Sequence, residues 1–149
     1  MKLAEALQER ADLNKRIEQL SMRLSINATV QEGEKPAEDP AELMKEMELC
    51  TARLEELIAK INLANSKTVV NGKTLTEAIA HKDVLTMKIR AYRELLNNAS
   101  RLAQRATRSE IKIFSAVNVG EIQKTVDDLS KELRLTDNMI QETNWKTEL

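Results

Sequence analysis

Counted in steps of three and four, the apolar positions of this chain fall into four long stripes. The most regular is Leu43, Met47, Cys50, Leu54, Leu57, Ile61 and Ala64, an unbroken alternation that marks a coiled-coil seam. A second stripe runs through Leu75, Ala78, Lys82, Leu85, Ile89, Tyr92, Leu96, Ala99, Ala103 and Ala106, with one charged interruption. Leu3, Ala6, Arg10, Leu13, Ile17, Leu20 and Leu24 form another, and Ile122, Val126, Leu129, Leu133, Thr136 and Ile140 the last. These spacings predict helices over about 1–26, 40–65, 75–106 and 119–143. Start signals agree: "DPAE" offers Asp39 as a cap with Pro40 at the first helical position, and "TLTE" and "NVGE" have the form of capping boxes.

Three breaks separate the stripes. "INATVQEGEKPAEDP" predicts a short strand near 28–31 and then an acidic loop. "NSKTVVNGKT" places Asn-Gly between β-branched residues and predicts a tight hairpin over about 67–74. "SEIKIFSAV" alternates as a half-buried strand would, over about 110–117. If successive helices are antiparallel, the first and third breaks lie at one end, and their strands are expected to pair. The predicted fold is a single, mainly α domain over 1–149: four long antiparallel helices as coiled-coil-like hairpins or a bundle, with a small β element near the helix connections.

Composition narrows the function classes. Aromatic residues are 2% and charged residues 32% of the chain, as in long amphipathic helices and unlike a β-sandwich. A net charge of -1 gives no overall pull toward nucleic acid or anionic lipid, so neither is an expected partner. The charge is nevertheless segregated: residues 31–59 carry nine acids against three bases, and residues 81–109 seven bases against two acids. Complementary helix faces, or a basic docking surface for an acidic partner, would use this asymmetry. "MKLAEALQER" lacks the apolar core of an export signal, no apolar run reaches membrane-spanning length, and the single Cys50 excludes an intramolecular disulfide. A cytoplasmic protein is expected.

The motifs that look chemical resolve into structure. Gly72-Lys73-Thr74 would need a glycine where Lys67 stands to fold around phosphate. His81, Lys82 and Asp83 are consecutive, so on a helix they point about 100° apart and do not converge. One His, one Cys and the loop acids Glu32, Glu34, Glu38 and Asp39 lack the order of a zinc or calcium site. Cys50 lies in a seam, and Arg101, Arg105 and Arg108 recur without interleaved aromatics. No catalytic residue, metal ligand or cofactor site is therefore assigned. Trp145, in "QETNWKTEL", is expected to pack against a bundle or subunit face and tie down the tail, or to anchor a partner. Arg10 and Lys82 on apolar seams favour homo-oligomer formation.

The order of "VQEGEKPAEDPAEL", "GKTLTEAIAHKDVL", "SEIKIFSAV" and "IQETNWKTEL" resembles a family of small bacterial proteins labelled septicolysin-like. The resemblance implies a cytoplasmic helical protein and brings no catalytic residues with it. The leading expectation is a non-enzymatic coiled-coil protein that self-associates and presents surfaces to an unidentified protein partner. One alternative is a membrane-active lysin, as that label suggests. Another is a ligand-binding protein whose site forms between subunits from scattered residues such as His81, Asp83, Arg108 and Glu110.

Overall fold

The computed structural model describes residues 1–101 and 111–149. These form α1 (Leu3–Ile26), α2 (Pro40–Lys67), β1 (Val69–Val70), β2 (Lys73–Thr74), α3 (Leu75–Ser100) and α4 (Val119–Lys146). The predicted helices and the tight hairpin are all present. The turn between β1 and β2 is made by Asn71 and Gly72, at φ 52 and 77, the left-handed pair that an Asn-Gly hairpin requires. The predicted extension of α3 from 102 to 106 lies outside the described residues.

Two predicted strands are corrected. Residues 28–31 form none, because the Ala28 amide donates to Ser25 O and the Glu34 amide to Gln31 O, leaving the backbone in local turns. Residues 111–117 form none either. The Ser115 hydroxyl donates to Val117 O at 2.8 Å and accepts from the Val117 amide, a local motif that competes with strand pairing.

The helix starts follow their caps. Asp39 accepts the Ala41 amide at 2.9 Å. Thr74 Oγ1 accepts the Glu77 amide at 3.2 Å, and Glu77 returns the contact by accepting the Thr74 amide at 2.7 Å. Asn118 Oδ1 accepts the Glu121 amide at 3.2 Å. Thr74→Ala should destabilise the protein by about 1 kcal/mol, the usual worth of a cap, read from urea melts.

By its internal contacts the chain forms two compact units. The first holds Met1–Val69 and Thr143–Leu149. Here α1 and α2 are antiparallel, with Leu3, Leu20, Leu57 and Ile61 essentially inaccessible. Their register is visible in three ion pairs: Glu9–Arg53, Arg16–Glu46 and Arg23–Glu38. Each step of seven along α1 moves the partner back by seven or eight. Asn27, buried at the end of α1, donates to Arg23 O and accepts the Glu38 amide, fixing the loop that enters α2. The tail is held by backbone: the Leu3 amide donates to Thr147 O at 2.9 Å, and the Leu149 amide to Met1 O at 3.0 Å.

The second unit holds Val70–Glu142. Here α3 lies antiparallel to α4, burying Leu75, Ala78, Leu85 and Ile89 with Val126 and Ile140. Lys82, the charged interruption in the α3 stripe, reaches Asp137 at 2.5 Å.

Several carboxylates are held below their ordinary range by these partners. Arg53 lowers Glu9, Arg23 lowers Glu38, Lys82 lowers Asp137, and Lys2 with the N-terminal ammonium lowers Glu148. A carboxylate depressed on folding adds stability that is present at neutral pH and lost as pH falls through its folded value. The melting temperature should therefore fall steadily as pH drops below about 4. A melting temperature unchanged down to about pH 2 would contradict these pairings.

Candidate functional site

The residues singled out from the sequence do not assemble into one centre. His81 and Asp83 are both exposed on α3, and His81 Nε2 lies 2.9 Å from Glu132 Oε1 across the hairpin. Arg108 and Glu110 lie outside the described residues. Trp145 is 52% exposed on the last turn of α4, and within the chain the tail is held by the backbone bonds of Leu3 and Leu149 and by the pairing of Glu148 with Lys2 and the N-terminal ammonium. Cys50 is a free thiol, half-buried on its seam. Among the described residues no three His, Cys, Asp or Glu side chains gather as metal ligands. No helix among them is long and apolar enough to cross a membrane.

What the geometry does bring together is two differently furnished flanks on each hairpin. In an antiparallel helix pair, the positions bordering the seam face their counterparts on the partner helix, one set on each side. On α1 and α2 one border carries the ion pairs Glu9–Arg53 and Arg16–Glu46. Counting along the helix puts Leu7, Asn14 and Ser21 of α1 and Met44, Thr51 and Ile58 of α2 on the other border, with no charge among them. Met44 is 54% and Ile58 41% exposed.

The second hairpin also has two unlike borders, but both carry charge. His81 and Glu132 meet on one border. The other border is a groove of about 380 Å³ lined by Lys82, Thr86, Ile89, Arg93, Ser130, Leu133, Arg134 and Asp137. Arg93 Nη2 donates to Ser130 Oγ at 3.4 Å, and Arg134 is exposed. A second groove, of about 460 Å³, lies where α1 ends and α2 begins, and its charges are largely satisfied: Glu38 is held by Arg23 and Glu46 by Arg16, while Asp39 caps α2.

Arg93 and Arg134 escaped the motif-based reading because neither belongs to a recognisable motif. Arg93, Ser130 and Asp137 do stand at the positions that border the seams of α3 and α4, and that spacing is their signal in the sequence.

No curated protein matches the chain. Over 100% of its length and 98% of the other's, it is similar to a functionally unknown conserved protein from Corynebacterium diphtheriae, known from a crystal structure, with 40% sequence identity and a TM-score of 0.93. The model of a family of unknown function, DUF6847, matches residues 10–149. The chain belongs to that family.

Proposed function

We propose that this protein is a non-enzymatic, cytoplasmic interaction module that self-associates through the uncharged border of its α1 and α2 hairpin. The carrying observation is the exposure of Met44 and Ile58 on the border of α1 and α2 opposite the ion pairs. Single exposed apolar residues are ordinary, but these two share the border of the seam with Leu7, Asn14, Thr51 and Ser21, none of them charged, and the nearest charges on α2 are Glu48 and Glu55 on its outer side. Such a face is stabilised when another helix covers it, since removing apolar surface from water yields about 25 cal/mol per Å².

The segregation of charge supports specificity in that contact. Acids dominate 31–59 and bases 81–109, and complementary potentials align partners and reject wrong ones. Trp145, half-exposed, offers a further contact for a protein partner. Two copies carrying different affinity tags, co-expressed and purified through one tag, should both be recovered. Recovery of the captured copy alone would refute self-association.

A further inference from the structure

We infer that the groove on α3 and α4 receives the α2 stripe of Met44, Glu48, Thr51, Glu55 and Ile58 from a second copy of this chain. The inference rests on the self-association proposed above and names the two surfaces that meet.

The groove has an apolar floor and two cations without carboxylate partners. Ile89 is 3% exposed and Leu133 half-buried, so the floor is hydrocarbon. Lys82 is spent on Asp137. Arg93 has only the long contact to the Ser130 hydroxyl, and among the described residues neither Arg93 nor Arg134 forms a salt bridge. On the first hairpin Arg16 and Arg53 each hold a carboxylate of the opposite helix and Arg23 holds Glu38 beside the start of α2, whereas Arg10 on the α1 seam forms no salt bridge among the described residues. Two unpaired guanidinium groups beside an apolar floor therefore ask for an acidic, apolar occupant. The hydroxyls do not donate to that occupant, because Thr86 gives its proton to Lys82 O and Ser130 to Val126 O. From Lys82 to Arg93 the groove follows α3 for about 16 Å, the length of three helical turns. That shape suits a helix better than a small anion.

The α2 stripe has the matching chemistry. Its residues step by four, three, four and three, so they share one face. Met44 and Ile58 are exposed apolar ends, and Thr51 turns its hydroxyl back onto Met47 O and Glu48 O, leaving its methyl outward. Glu48 and Glu55 alternate with them, exposed and outside every salt bridge among the described residues. Arginine–carboxylate contacts across an otherwise apolar interface combine direction with burial. Because each chain carries both surfaces, every copy can bind one neighbour through its groove and one through its stripe.

The test uses two charge-reversed full-length variants, R93E/R134E and E48R/E55R, with mass read by light scattering and helicity by circular dichroism. Each variant alone should have the mass of one chain at wild-type helicity, since acid then faces acid or base faces base. Mixed in equal amounts they should recover the wild-type assembly, because the intact stripe of one meets the intact groove of the other, and the two reversed surfaces meet each other. Wild-type mass in either variant alone, or a mixture that fails to assemble, would overturn the inference while leaving self-association standing if the wild-type chain is oligomeric. A wild-type chain that is monomeric throughout would overturn both. Should a reversal lose helicity, the neutral pairs R93Q/R134Q and E48Q/E55Q replace it. Each is expected to weaken assembly at least tenfold, and unchanged assembly in both would overturn the inference.

Discussion

Leu57→Asp should unfold the α1 and α2 hairpin, whereas the same charge placed one residue later should leave it folded. Leu57 is 0% exposed. Truncating such a leucine to alanine costs about 2–5 kcal/mol, and a buried carboxylate without a partner adds a desolvation cost of several kcal/mol. A domain is stable by only about 5–15 kcal/mol, so the sum consumes most of that margin. Circular dichroism should show a large loss of helix, and urea melts should lose their cooperative transition. Retention of the wild-type midpoint would mean that Leu57 is not packed as described.

The second large effect is on assembly rather than folding. Met44→Glu with Ile58→Glu changes two side chains that are 54% and 41% exposed, where a substitution ordinarily shifts stability by no more than about 0.5 kcal/mol. In an assembly, however, each carboxylate would be buried in the contact that Met44 and Ile58 make. Assembly should weaken by at least about a hundredfold, as burying two charges costs several kcal/mol, while the melting temperature of the separated chain stays near wild type. Equilibrium sedimentation over a range of concentrations checks this. An undiminished association constant would remove Met44 and Ile58 from the contact.

The contrast between Leu57 and Ile58 shows how far the sequence carries. Period and caps are local, so α2 could be read from its stripe and from Asp39-Pro40, and α3 from Thr74 and Glu77 following the Asn71-Gly72 turn. The strand prediction failed for a local reason of another kind. Ile111, Ile113 and Val117 have the alternation of a strand, but the Ser115 hydroxyl takes up the Val117 backbone groups, and no neighbouring strand competes for them among the described residues.

Partners distant in the chain were the least legible. Lys82 read as a polar fault in an apolar seam, and its counterpart Asp137 lies on another helix; the periodicity of α3 alone cannot name it. The tail's contacts within the chain were not legible at all: two backbone hydrogen bonds between the termini, which carry no residue code, and the pairing of Glu148 with Lys2 and the N-terminal ammonium. The uncharged border is different: Met44, Thr51 and Ile58 stand at regular spacing in the sequence, but their meaning appears only once Glu46 and Arg53 are seen to occupy the opposite border.

Self-association can be read from light scattering on the wild-type chain, followed across a wide range of concentrations at physiological salt. A mass fixed at a whole multiple of one chain, falling to that of one chain only on strong dilution, is the predicted result. The mass of a single chain at every concentration would contradict self-association.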